Sequence, residues 1–328
     1  MTKSVASLYG AALDRMVHFW FPVWQKMGLH ITRNHFYQAI PDTSALPKDF
    51  WDRRSEMVGV DLRDQVQLRL LQTFAAKYRG EYERFPMDRP EQPHQYFVKN
   101  GMFAGVDGEI LYCMVRHFKP KRIFEIGSGN STYLSAQAVL KNREEGCDCQ
   151  LVAYEPYPNE TLRKGFPGLA KLVETEVQKV EASAFKELEE NDILFIDSSH
   201  VLKIGSDVQY EFLEILPRLN RGVLVHVHDV FLPYAPPKDW VVKQQRFWNE
   251  QYILQAFLTY NQAFRVMWAG HYMHRTYPQQ LRAAFKSYSS TTSPASFWMR
   301  CLGSERKQKV QGGKRTLAAG DTSVSQAM

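Results

Sequence analysis

The 328 residues are 44% hydrophobic and 23% charged, the make-up of an ordinary globular protein with room for one large domain and an appendage. The net charge of +6 is scattered; its densest basic stretch, "ERKQKVQGGKR" near the C-terminus, reads as a solvated tail rather than an aromatic-laced nucleic-acid surface. The four cysteines (Cys113, Cys147, Cys149, Cys301) are too few for a disulfide framework and lack zinc-site spacing.

The N-terminus carries no secretory signal, so the expected location is the cytoplasm. The apolar run "MVHFWFPVW" (Met16–Trp24) falls short of the ~20 residues that cross a bilayer and is interrupted by Pro22. Stable membrane insertion is not expected. The run is predicted to pack against the protein or a second subunit, making the N-terminal region a candidate homo-oligomer contact. "NHFYQAIPDTSALPKDFW" is proline-broken and reads as a long ordered loop offering His35, Tyr37 and Asp42 to an acceptor. Leu62, Val66, Leu70, Leu71 and Phe74 recur at helical spacing. Residues 1–100 are therefore predicted to form a helical and looped extension, 101–302 the main domain, and 303–328 a disordered tail.

From residue 122 the pattern alternates. Ile123, Phe124 and Ile126 make a short apolar run, and a helix-like "STYLSAQAVLKN" follows. Further strands are predicted at "QLVAYEP", "KLVETEV", "DILFIDSS" and "GVLVHVHDVF". A helix opens on the Ser206-Asp207-Val208-Gln209 capping box, with Val208, Phe212, Leu216 and Leu219 on its apolar face. Later come a helix around "QQRFWNEQYILQAFL", a strand at "FRVMWAG", a helix near "PQQLRAAFKSY" and a strand in "SFWMRCL". Short apolar strands separated by helices predict an α/β fold with a mainly parallel sheet. Such sheets bind ligands at the carboxyl ends of their strands. Those ends hold Glu125 to Gly129, Glu155, Asp197 to His200, and His228-Asp229, all polar or glycine after an apolar run.

The loop "RIFEIGSGNST" has Thr132 where a nicotinamide fingerprint wants its third glycine, and it has Glu125, for which that fingerprint has no use. E-x-G-x-G with an acid ending the next strand resembles class I S-adenosylmethionine (SAM) methyltransferases, over about residues 105–302. The resemblance implies a Rossmann-like fold of seven strands with flanking helices, and SAM as cofactor. Gly127 and Gly129 would let the backbone approach it. Glu125 would face its cationic amino-acid end, and Glu155 its ribose hydroxyls. Ser128, Asn130, Ser131, Thr132 and Asp197 would complete the cofactor site, with Ser131 and Thr132 capping the next helix.

Asp197-Ser198-Ser199-His200, followed by Asp207, Gly222 and His228-Asp229, narrows the resemblance to small-molecule and sugar O-methyltransferases, including metal-dependent macrolide-tailoring enzymes. The resemblance makes Asp197, His228 and Asp229 ligands of a divalent metal and His200 the general base. His228 replaces a family acid; an imidazole there admits Mn²⁺, Fe²⁺ or Zn²⁺ beside Mg²⁺. His226 reads as structural, and Asp207 as a first-turn helix acid. The proline-stiffened "VFLPYAPPKDW" is a candidate lid. The expected acceptor is a small molecule or sugar hydroxyl. Nitrogen or carbon methylation, or a catalytically silent SAM-binding subunit, are the alternatives. No N/D-P-P-Y/F tetrapeptide follows the fourth strand, which speaks against nucleic acid as substrate.

Overall fold

The computed structural model describes residues 3–289 and 291–303; the predicted disordered tail lies, from residue 304 on, outside the described residues. Two compact units are present: one runs to Arg53 and takes in Pro237–Phe247, and the other holds Arg54–Pro236 with the chain from Trp248 onward.

The smaller unit is built on α1 (Lys3–Lys26), through which Pro22 passes, and includes the short α7 (Lys238–Val242). Arg33 folds the chain after α1 back onto it, donating to the Asp14 carboxylate at 2.8 Å and the Gly10 carbonyl at 3.2 Å. The aromatic run keeps much of its surface open, Phe19 being 75% exposed. No described helix is long and apolar enough to cross a membrane. His35, Phe36 and Tyr37 stack on one another, and Asp42 accepts from the amide and hydroxyl of Ser44.

The larger unit is a seven-stranded sheet in the order β3-β2-β1-β4-β5-β7-β6. Its strands are β1 (Arg122–Ile126), β2 (Gln150–Tyr154), β3 (Leu169–Val173), β4 (Ile193–Ile196), β5 (Leu224–Val227), β6 (Phe264–Ala269) and β7 (Phe297–Cys301). The first five are parallel, and β7 runs antiparallel to both β5 and β6. β4 and β5 are buried throughout, which is why their sequences read as continuous apolar runs. The strand order reverses between β1 and β4, so a crevice opens beyond their carboxyl ends.

Helices cover the sheet. α2 (Asp64–Tyr82) buries Gln67, Leu71, Phe74, Tyr78 and Tyr82, a stripe rotated from the predicted one. It is tied to the sheet by Gln67, which accepts from the Ala269 amide at 2.8 Å. α3 (Val106–Phe118) packs beside α4 (Asn130–Glu144), and buried Arg116 links α3 to Glu81 and Glu145. After β2 comes the short α5 (Glu160–Lys164). β3 starts two residues before the predicted run and ends at Val173, with Glu174–Glu176 outside the sheet.

The predicted cap at Ser206 is present, its hydroxyl accepting from the Gln209 amide at 3.2 Å. The helix it starts is irregular: α6 (Asp207–Tyr210) passes into a π-helical turn at Glu211–Ile215 and a 3₁₀ turn at Leu216–Arg218. Val208, Phe212, Leu216 and Leu219 are nonetheless all buried. α8 (Glu250–Leu258) begins six residues later than the apolar pattern predicts, after Gln245 has turned into left-handed backbone. α9 (Gly270–Thr276) and α10 (Pro278–Ala284) follow β6.

Candidate active site

β1 ends in Gly127, whose φ is +77°. A Cβ there would stand 1.9 Å from the Asp197 carbonyl oxygen at the end of β4. The glycine is thus demanded by the neighbouring strand end. Gly129 is the reverse case: a Cβ would meet no protein atom within 4 Å. Its side faces open space.

Glu125 lies on β1 with no exposed surface. Its Oε1 accepts from the hydroxyls of Ser131 (2.6 Å) and Thr132 (3.0 Å) at the start of α4, while Oε2 is buried with no partner. Burial pushes this carboxyl up to about 8, against the pull of the two hydroxyls. Thr132 also caps its helix, its Oγ1 accepting from the Gly129 amide at 2.9 Å. The Ser128 hydroxyl is buried without a partner as well. Glu155, just past β2, accepts from the Ser128 amide at 3.1 Å with Oε2 and from the Tyr157 amide at 2.8 Å with Oε1. Each oxygen keeps a second lone pair. A cavity of about 370 Å³ runs from Gly127 and Glu155 past Tyr157 and Val177 to Asp197 and Ser199. Asn130 lines a separate cavity of about 340 Å³ with Gly129, Arg89 and Tyr133.

The ends of β4 and β5 meet in a compact cluster. His200 Nε2 is 3.2 Å from Asp197 Oδ1 and 3.5 Å from Asp229 Oδ2. One donor atom each from Asp197, His200 and Asp229 falls within 4.8 Å of the others. That grouping sets His200 among the candidate metal ligands, where the sequence reading had His228. The Nδ1 of His228 is 3.4 Å from Asp197 Oδ1 and 3.7 Å from Asp229 Oδ1, and its Nε2 has no hydrogen-bond partner, the Asp107 carboxylate lying 3.6 Å away. The Phe103 ring packs against His228 at 4.7 Å between centroids. His226 is fully buried, stacked on Phe195 at 4.0 Å and 3.1 Å from the Ser296 hydroxyl, a structural histidine. Asp207 accepts from the amide and hydroxyl of Ser199, shaping the loop after β4.

The charges in this cluster compensate one another. Burial disfavours the charged form of His200, but its bonds to Asp197 and Glu250 dominate and hold it up at about 10. His228 is likewise held well above the ordinary histidine range, against burial, by Asp229 and Asp197. The two imidazoles in turn keep Asp197 far below the usual carboxylate range, burial notwithstanding. Asp229 stays raised, burial outweighing the histidines. The imidazoles thus balance the acids. Two oxygen donors facing an imidazole nitrogen form a donor set suited to Mn²⁺, Fe²⁺ or Zn²⁺.

Three residues of this region escaped the sequence reading. Asp107, at the start of α3, accepts from the Ala295 and Ser296 amides, both at 2.9 Å. Glu250 bonds His200 Nδ1 at 2.8 Å. Glu211, on the π-helical turn, accepts from the Ser198 hydroxyl at 3.1 Å. The one visible signal is "WNE", an asparagine and an acid where α8 truly starts. His35, Tyr37 and Asp42, proposed above as acceptor contacts, belong to the smaller unit.

A methyltransferase-domain family model matches residues 124–230, from β1 through the strand-five acid. The matched part of the chain is a methyltransferase domain on a Rossmann-like sheet. An uncharacterized protein of Archaeoglobus fulgidus is 32% identical over 203 residues, covering 58% of this methyltransferase and 84% of the relative. Among solved structures, an O-methyltransferase from Bacillus cereus in complex with SAH matches at 14% identity and a TM-score of 0.34, over 87% of this chain and 99% of that one. The structure described as cmcI-D160 Mg-SAM matches at the same identity and TM-score, over 67% and 88%. Likenesses at that level say nothing of acceptor or metal.

Proposed function

We propose that this methyltransferase acts on a hydroxyl of a small molecule or sugar, with a divalent cation held by Asp197, Asp229 and His200. The observation that carries this is the convergence of those three donor atoms within 4.8 Å at the ends of β4 and β5, against the Gly127 turn.

The residues of the cofactor loop suit SAM. The unpartnered Oε2 of Glu125 is a buried acceptor for the ammonium of the amino-acid end. Glu155 retains lone pairs for ribose hydroxyls, and the open side of Gly129 leaves room for the ligand. SAM supplies an activated sulfonium methyl, and a divalent cation supplies Lewis acidity toward the acceptor oxygen. The protein then has to align the acceptor and remove its proton.

The geometry favours an exchange of the two histidine roles expected from the sequence. His200 is tied at both ring nitrogens, to Glu250 on one side and the acids on the other, as a ligand is. His228 makes no hydrogen bond through Nε2, which faces the Asp107 carboxylate at 3.6 Å, and is the imidazole left to take the proton. Of the carboxylates that hold a proton on His228, Asp197 and Asp229 would commit their charge to the cation, which lowers the ring toward the range of a base, while Asp107 would orient it.

The test is a calorimetric titration with S-adenosylhomocysteine in EDTA and again with Mn²⁺, followed by turnover of hydroxylated acceptors. Cofactor binding in both conditions and turnover only with metal is the expected result. Metal-independent turnover would favour nitrogen or carbon methylation. Absence of cofactor binding would favour a silent subunit. His228→Gln should retain Mn²⁺ and lose turnover, whereas His200→Gln should lose both.

A further inference from the structure

We infer that Glu250 is the positioning residue for His200, selecting which ring nitrogen faces the Asp197–Asp229 edge. This rests on the reading of Asp197, His200 and Asp229 as a cation site.

Five contacts carry the inference, and all come from one short segment. The Glu250 carboxylate is 3% exposed and sits 2.8 Å from His200 Nδ1. A carboxylate accepts only, so Nδ1 carries the hydrogen and Nε2 is the atom presented to Asp197 and Asp229. The amides of Asn249 and Glu250 both donate to the His200 carbonyl, at 3.0 and 3.2 Å. The Asn249 side chain continues the clasp, its Oδ1 accepting from the Leu202 amide at 2.6 Å. Trp248 packs its ring on the imidazole at 4.5 Å between centroids. Residues 248–250 thus hold His200 by ring face, ring nitrogen and main chain.

The main-chain clasp matters because His200 has φ +60°, a left-handed backbone that histidine adopts at a cost. The first turn of α8 holds that conformation, and the same turn supplies the carboxylate. Behind Glu250, the π-helical turn brings in Glu211, which anchors Ser198 beside Asp197. Single π turns inside helices are frequent at functional sites. A histidine ligand whose far nitrogen donates to a carboxylate is held in one tautomer, and losing such a partner typically weakens metal binding by about 10–100-fold. An acid at the start of a helix also favours the helix dipole, so a purely structural role must be separated by experiment.

The decisive variant is Glu250→Gln, which keeps size and helix position but removes the charge. Mn²⁺ affinity would be read by electron paramagnetic resonance in the full-length protein, with S-adenosylhomocysteine affinity and melting in EDTA as controls. The expected result is about 10–100-fold weaker Mn²⁺ binding with cofactor affinity unchanged, together with loss of the downfield His200 Nδ1 proton in the NMR spectrum. If wild type and variant bind Mn²⁺ equally, Glu250 does not position the ligand, although the cation site stands. If wild type binds no Mn²⁺, the cation site falls, and the ring-proton signal alone decides the contact. The double variant guards against a fold-wide effect: in a His200→Gln background, Glu250→Gln should add nothing to the loss of Mn²⁺ affinity. Additive losses would mean that Glu250 acts through its charge alone and would overturn the inference.

Discussion

His200 and Asp229 both adopt left-handed backbone, at φ +60° and +53°, and the Nε2 of the first lies 3.5 Å from the Oδ2 of the second. Two uncommon conformations at facing strand ends bring one nitrogen and one oxygen to a shared point. Asparagine accepts such a backbone almost as readily as aspartate, whereas alanine does not. Asp229→Asn is therefore the clean probe of the carboxylate. It should lose at least about tenfold in Mn²⁺ affinity and nearly all turnover while keeping its melting temperature and S-adenosylhomocysteine affinity. Full activity in this variant would rule out a cation at Asp229.

The two loop glycines should respond in opposite ways. Gly127→Ala sets a Cβ against the Asp197 carbonyl and enforces an unfavourable φ. It should cost at least about 2 kcal/mol of stability and abolish cofactor binding. Gly129→Ala meets no protein atom and has extended φ, so stability should be unchanged. Its Cβ instead enters the open space and should weaken S-adenosylhomocysteine binding about tenfold, a change of about 1.4 kcal/mol. Melting curves and titrations on the pair would separate folding from ligand fit.

Cofactor binding should release a proton. In the unliganded protein the Glu125 carboxyl, raised to about 8 by burial, is mostly neutral at neutral pH. An ammonium group beside it favours the ionised form. Affinity should accordingly rise as pH climbs through 7 to 8. Calorimetry in two buffers of different ionisation enthalpy would detect the released proton, and Glu125→Gln should abolish it. Identical heats in both buffers would remove Glu125 from the ammonium's partners.

Raising the pH from about 4.5 through 7 should weaken the fold through Glu109, independently of any ligand. Burial pushes this carboxyl up to about 7, despite the Ser287 hydroxyl donating to it at 2.6 Å. A folded value above the unfolded 4.5 means that the contribution is fully present below 4.5 and lost as pH rises through 7. Glu109→Gln should match wild type at about pH 5 and be up to about 3 kcal/mol more stable at about pH 9. Urea unfolding at the two pH values measures the difference; an equal gain at both would locate the effect elsewhere.

The strands were legible because β1, β2, β4 and β5 are short apolar runs buried in a parallel sheet, and each ends in a polar residue at the crevice. That logic names Asp197, His200, His228 and Asp229 together. Spacing along a chain cannot say which ring nitrogen of a histidine points where, so the roles of His200 and His228 needed side-chain geometry. Glu250 was out of reach for a different reason: it lies 50 residues from its partner, in a segment that reads as helix interior. The π turn at Glu211 was hidden because Val208, Phe212 and Leu216 keep a helical period across it. Gly127 shows that a glycine expected to face a ligand can also be required by the fold. The sequence reading set it against a ligand, but its nearest obstacle is the Asp197 backbone.

β7 has a consequence for how the molecule comes into being. It is the last strand made among those described, yet it occupies an inner lane of the sheet between β5 and β6. A chain emerging from the ribosome can zip β1 to β5 in the order they appear, but β6 has no neighbour until Phe297–Cys301 exist. Until then β5 has a bare flank, and His226 lacks both Ser296 and Trp298. The β5 end that holds His228 and Asp229 is therefore finished only once Phe297–Cys301 have been made. A nascent chain halted short of Phe297 should be a partial sheet without a competent catalytic centre, which keeps methyl transfer silent until nearly all of the described chain has been made.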